Sequence, residues 1–237
     1  MRLLVTRPQP DAERTAATLR GRGHVVTVAP LLTMQPLADA GFVDEPWAGV
    51  LVTSANAIRA LSSERRDALA RFPLLTVGGH TASAAHAAGF RDVRSASGDA
   101  ADLVRLAAAA FAGASVPLLY LAGEHQAQDL AAMLAKRGLS MRTTIVYRMA
   151  AATRVPQTLR AALEHNAIDG ILHYSQRTAG VYLACAEASD IAPAALVPVH
   201  YCLSEAVAAP LAAAGAPRLR IAARPDEDAL LRMIGGP

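Results

Sequence analysis

Aromatic side chains are scarce, at 4% of 237 residues, and cysteine occurs only twice. Cys185 and Cys202 stand at no ligand-like spacing from each other or from a histidine pair, which excludes a disulfide framework and a cysteine zinc site and leaves both as small apolar residues. Lysine is almost missing. Lys136 is the only one, so the net charge of +3 rests on arginine, and the arginines are dispersed with no basic run interleaved with aromatics. A nucleic-acid partner is therefore not expected, whereas guanidinium groups suit carboxylate or phosphate. No P-loop sequence occurs, VGGHTA from Val77 lacks the third glycine of a dinucleotide fingerprint, and no G-x-S-x-G elbow is present. His24, His80, His86, His125, His165, His173 and His200 are scattered, and only His80 and His86 lie close, at a spacing that shares no helical face well. Neither a metal nor a cofactor is expected.

The hydrophobic content is high, at 53%, but alanine supplies much of it. The longest uncharged window, Leu106 to Gly123, nominally meets the length of a membrane span, yet Gly113, Ser115 and Pro117 divide it into a helix end and a strand start. The opening MRLLVTRPQPDAER has too short an apolar run for a signal peptide. These features predict a cytoplasmic protein without a membrane partner.

Short runs of Val, Leu and Ile alternate with longer amphipathic stretches of Ala and Arg. The runs predict strands at 2–6, 24–31, 49–53, 74–78, 92–95, 117–122, 140–147, 169–174, 197–202 and 218–222, with helices beginning near Asp11, Asn56, Thr81, Asp99, Gln126, Pro156, Thr178, Ser204 and Pro225. Strand and helix alternating throughout implies parallel sheets covered by helices on both faces. The order also repeats. The segment from Leu3 aligns without a gap on that from Leu118, so that Gly23 falls on Gly138; GVLVTSANAIRAL from Gly49 falls on GILHYSQRTAGVYL from Gly170, and VGGHTASAAHAAG from Val77 on LSEAVAAPLAAAG from Leu203. Each half carries five strands, which predicts two doubly wound lobes with a cleft where the strands' carboxyl ends meet.

Polar turns follow the apolar runs: Thr6 and Arg7; Thr53, Ser54 and Asn56; Gly78, Gly79, His80 and Thr81; Gly123 and Glu124; Ser175 and Gln176; Ser204. Helix N-termini there present N–H groups and a dipole that favour anions, and the same Ser, Thr and Asn also serve as plain N-caps. Tyr147 ends the strand MRTTIVY, where it reads either as an amphipathic edge residue or as a proton donor facing a ligand.

VTRP, TSANAI, VGGHTA, LYLAGE and the terminal VYR, in this order over nearly the whole chain, resemble uroporphyrinogen-III synthase. The resemblance implies two flavodoxin-like α/β domains joined by two extended linkers, with the halves of the repeat crossed: residues 1–34 with 149–237 in one domain, and 35–148 inserted as the other. The region of Pro36 and the segment Met149 to Arg154 would be the linkers. It implies a cofactor-free lyase that closes the linear tetrapyrrole hydroxymethylbilane to uroporphyrinogen III, inverting ring D and releasing water. Tyr147 would assist loss of the hydroxyl, and Thr6, Arg7, Ser54, Asn56, Gly79, His80, Thr81, Gly123, Ser175, Gln176 and Ser204 would hold acetate and propionate groups. A monomer is implied, with transient contact to the enzyme that makes its substrate. One departure stands out: the second-half turn has Val207 where a threonine like Thr81 is expected. Two other readings compete with the enzyme: a two-lobed protein binding an anion without chemistry, and a flavin-binding or receiver-like module, which the chain serves poorly for want of aromatic stacking loops and an acidic cluster after the first strand.

Overall fold

The computed structural model describes residues 1–37, 45–96, 98–126 and 128–235. Its strands are β1 Arg2–Val5, β2 Val25–Val28, β3 Leu32–Pro36, β4 Val50–Val52, β5 Leu74–Thr76, β6 Val93–Ser95, β7 Leu118–Gly123, β8 Met141–Ala151, β9 Gly170–His173, β10 Val199–Cys202 and β11 Leu219–Ile221. Between them run α1 Asp11–Gly21, α2 Ala55–Ala60, α3 Ser63–Leu69, α4 Gly79–Ala87, α5 Ala100–Ala110, α6 Leu130–Ala135, α7 Gln157–Glu164, α8 Gln176–Ala188, α9 Ala192–Leu196, α10 Glu205–Ala213 and α11 Glu227–Arg232. The contacts divide the chain into unit 1, Met1–Thr33 with Ala150–Pro237, and unit 2, Met34–Met149.

Unit 1 has a parallel sheet in the order β2-β1-β9-β10-β11. Leu3, Leu4 and Val5 of β1 are wholly buried, because helices cover both faces of this strand: Leu4 faces the cluster of α7 to α10, whereas Leu3 and Val5 face that of α1 and α11. In unit 2 the parallel strands run β8-β7-β4-β5-β6, with β3 outside β8. The β3 segment pairs antiparallel, since Leu37 N–H donates to Val146 O and Ala152 N–H to Leu31 O. Taken along the repeat, β7 and β8 stand for β1 and β2, and β4 to β6 for β9 to β11. Both sheets then have the flavodoxin-like order 2-1-3-4-5.

The backbone repeats as well. Gly23 and Gly138 take φ of 82° and 74° after equivalent helices, a left-handed conformation that admits a sharp exit into the next strand only cheaply for glycine. Three elements were not expected. In α3, SERRDAL has no apolar period and forms on the strength of its Ser62 cap; α9 is a five-residue turn started by Pro193; β3 exists through its non-local pairing with β8, which itself runs to Ala151 through part of the expected linker.

Candidate functional site

In unit 2 the expected residues gather at the carboxyl ends of β4, β5, β7 and β8. A one-residue bulge sets the geometry: Ala122 pairs with Ile145, but Gly123 pairs with Tyr147, so Val146 is passed over. Alternation along β8 is broken there. Val146 and Tyr147 both pack on the cluster formed with α2, α3 and α4, whereas Ile145 packs on the opposite one. The phenol of Tyr147 lies across Gly123, so close that a Cβ at that position would stand 2.6 Å from its Cζ and 2.8 Å from its hydroxyl oxygen. Glycine at 123 is what admits the ring.

Two helices begin beside it. Ser54 caps α2, its Oγ accepting from the Asn56 N–H at 3.2 Å. The Asn56 carboxamide lies between Arg59, which donates to its oxygen at 3.0 Å, and the sulfur of Met149, two residues beyond Tyr147. Helix α4 starts at Gly79 with Gly78 as N-cap and no side-chain cap; Thr81 N–H donates to Gly78 O at 3.1 Å, and the Gly79 and His80 N–H groups precede the first intrahelical bonds. Gly79 and His80 are exposed there, and Thr81 is buried. The hydroxyl of Thr53 meets that of Tyr120 at 2.9 Å, and burial raises the Tyr120 pKa, keeping the phenol protonated.

Unit 1 brings its residues together differently. Ser175 caps α8 through the Thr178 N–H at 3.1 Å, with Gln176 exposed beside it, and Ser204 starts α10 without a side-chain cap, as Gly78 does at the matching position. Val207 is buried like Thr81, so the missing hydroxyl falls on a position turned toward the core. Thr6 is wholly buried and donates to Leu172 O at 3.2 Å, tying β1 to β9. Arg7 is engaged from within the protein. Its guanidinium donates to Glu227 at 3.0 Å and to Asp11 at 3.3 Å and lies 4.0 Å over the ring of Tyr174, whose hydroxyl donates to the same Glu227 oxygen at 2.9 Å. Thr15 adds a further donor to that oxygen at 2.5 Å. Although burial works against the charged carboxylate, the hydrogen bonds of Thr15 and Tyr174, with Arg7 nearby, win and lower the Glu227 pKa.

Sequence reasoning named Gly123 and Tyr147 but not the bulge that opposes them, and named Arg7 but not its partners. The sequence signals for the latter were acidic residues opening the first and last helices, at Asp11 and Glu227.

Residues 13–232 match the family described as uroporphyrinogen-III synthase HemD. No curated protein matches the sequence. Among solved structures, the uroporphyrinogen-III synthetase of Helicobacter pylori aligns with a TM-score of 0.64 at 16% identity, covering 99% of this chain and 98% of that one. A mutant uroporphyrinogen III synthase of Thermus thermophilus aligns with a TM-score of 0.54 at 17% identity, covering 99% and 97%. At such identities these two share the fold.

Proposed function

We propose how this chain, which belongs to the uroporphyrinogen-III synthase family, carries out the family's reaction: Tyr147 assists the leaving hydroxyl, and strand-end turns hold the substrate. The reaction itself is the cyclisation of hydroxymethylbilane to uroporphyrinogen III in tetrapyrrole biosynthesis. It needs assisted loss of the terminal hydroxyl and attack from the substituted carbon of ring D, giving a spiro intermediate that reopens. Closure in solution gives the unrearranged type I isomer, so the protein's work is control of geometry.

The observation that carries this assignment is the seating of Tyr147 on Gly123, at the same strand ends as the Ser54–Asn56 turn and the uncapped turn of α4. A neutral phenol donates a hydrogen bond to a departing hydroxyl without adding charge to a polyanionic substrate. The N–H groups of Gly79 and His80 at the start of α4, with Ser54, Asn56 and the exposed His80 side chain, receive carboxylates in unit 2, and the buried Thr81 supports that turn from the core side; Ser175, Gln176 and Ser204 receive them in unit 1. Thr6 and Arg7 support the unit 1 turns from beneath.

Among the described residues no helix is long and apolar enough to cross a membrane. A monomer in the cytoplasm, acting on a small diffusing substrate and transiently meeting the enzyme that makes it, fits this reading.

The test is to incubate purified protein with freshly made hydroxymethylbilane, oxidise the product and separate the uroporphyrin isomers. Type III isomer well above the buffer control is expected, and only type I at the buffer rate would refute the activity. Tyr147→Phe keeps the ring and removes its hydroxyl, so type III formation should slow by about 10²-fold or more, the usual scale for a positioned proton donor. Unchanged turnover would remove Tyr147 from the chemistry.

A further inference from the structure

The internal repeat makes one difference between the units chemically informative. In unit 1, Arg7, Thr15, Tyr174 and Glu227 meet at the ends of β1 and β9 and the starts of α1 and α11, joined by an ion pair, a stacked guanidinium and two hydroxyl donors. In the ungapped register of the repeat, Arg7 falls on Ala122, Thr15 on Leu130 and Tyr174 on Thr53. Helices α11 and α5 start alike, each capped by an aspartate, Asp226 and Asp99, so Glu227 falls on Ala100. Three of the four side chains are thus exchanged for smaller ones, and both charges disappear. Where unit 1 is filled, unit 2 has a half-open cavity of about 190 Å³, lined by Thr53, Val77, Ala100, Tyr120, Gln128 and Leu130.

This cavity lies on the sheet face opposite Tyr147. Tyr120 and Leu130 belong to the apolar cluster of α5 and α6, whereas Tyr147 packs on that of α2 to α4. We infer that the cavity binds one neutral, planar ring of five or six members carrying a single N–H or O–H, a pyrrole or a phenol being the simplest forms.

Three features select that class. Size is the first: an apolar cavity of about 150 Å³ takes up benzene, so this one has room for a single ring. Polarity is the second. Thr53 and Tyr120 share one hydrogen bond at 2.9 Å, which leaves one hydroxyl hydrogen and free lone pairs to meet one polar edge of a guest. Charge is the third. Among the described residues no charged side chain lines the cavity, and the nearby start of α5 already has Asp99 bound to the N–H groups of Ala101 and Asp102, so a carboxylate would meet no countercharge there and a neutral guest is favoured. The occupant of the matching place in unit 1 is itself planar, a guanidinium stacked on Tyr174.

The test follows the methyl NMR signals of Val77, Ala100 and Leu130 while the whole protein is titrated with pyrrole, phenol or benzoate. Pyrrole and phenol should move these signals saturably, and benzoate should bind at least tenfold more weakly. Ala100→Leu and, as a second filler in case the first misfolds, Leu130→Phe should each weaken pyrrole binding at least tenfold. Saturable binding that leaves KM for hydroxymethylbilane unchanged is expected of a site for a separate neutral ligand, whereas competition that raises KM would place a carboxylate-bearing substrate ring there and overturn the neutral-ring assignment. No saturable shift with either neutral ring, equal binding of benzoate, or binding that survives in a folded filler variant would overturn the inference. Because the readout is binding, its failure is distinct from failure of the cyclisation.

Discussion

Gly123→Ala tests the link between the bulge and the chemistry. A Cβ at residue 123 would stand 2.6 Å from Cζ, 2.8 Å from the hydroxyl oxygen and 3.1 Å from Cε1 of Tyr147, where ordinary contact begins at 3.4 Å. The ring must retreat by roughly 0.8 Å, and the adjoining β8 backbone is held by the ladder to β7. Gly123 is not among the glycines with positive φ, so alanine brings no backbone strain. Tyr147 is only half-buried, which lets the ring yield outward, and the stability cost should sit near the low end of overpacking penalties, about 1 kcal/mol. The kinetic cost should be larger, because displacing a reacting group by about 1 Å costs on the order of 10²-fold. Single-turnover formation of the type III isomer measures the second quantity, and the urea midpoint measures the first. In the Tyr147→Phe background no hydroxyl remains to be misplaced, so Gly123→Ala should then cost almost nothing in rate. That non-additivity amounts to about 2.7 kcal/mol. A wild-type rate within twofold for Gly123→Ala, or the same hundredfold loss in both backgrounds, would refute the reasoning.

Two further outcomes are expected. The pair His173 and His200 is fully buried, Nε2 to Nδ1 at 3.0 Å, and desolvation lowers both pKa values, that of His200 to about 4; His24, nearly buried, is lowered for the same reason. Folded-state values below the unfolded one near 6.5 mean that stability is complete above pH 6.5 and lost as pH falls toward 4, by about 3 kcal/mol for His200. Urea midpoints should therefore drop between pH 6.5 and 5, above the range where Glu227 and Asp169, both lowered, take up protons; a flat midpoint there would be contrary. Arg7→Ala leaves Glu227 half-buried without its cation, and should destabilise by about 2 kcal/mol while changing KM less than threefold; a KM effect larger than the stability effect would make Arg7 a direct substrate contact.

The parts of this fold legible in sequence are those decided locally. Leu3 to Val5, Val50 to Val52, Leu118 to Ala122 and Gly170 to His173 are apolar runs because helices cover both sides of the strands, and Ser54 and Ser175 mark helix starts by an interaction reaching two or three residues. What escaped depends on distant partners. β3 is a strand only because β8 pairs with it, and Arg7 meets Glu227 across 220 positions. The bulge at Tyr147 leaves no trace in hydropathy, because Val146 and Tyr147 look the same whether they share a face or alternate. The cavity beside Thr53 depends on side chains that meet only in the fold, from Thr53 and Val77 to Tyr120 and Leu130.

The engagement of Arg7 bears on how the proposed site would hold a polycarboxylate. Of the residues expected to touch substrate, it was the one fixed cation, and in the structure its charge is answered by Glu227 and Asp11. The remaining proposed contacts are hydroxyls, the carboxamides of Asn56 and Gln176, the imidazole of His80 and the starts of α4 and α10, which have no side-chain cap. In the proposed site backbone N–H groups would hold the same carboxylates before and after ring closure, and binding that is equal in both states lowers KM without lowering the barrier. Selectivity for the inverted ring must come from a contact that strengthens only as the hydroxyl departs. In the proposed assignment Tyr147 makes that contact, and the bulge and Gly123 fix where its phenol sits, whereas a turn residue such as Val207, buried like Thr81, bears only on binding.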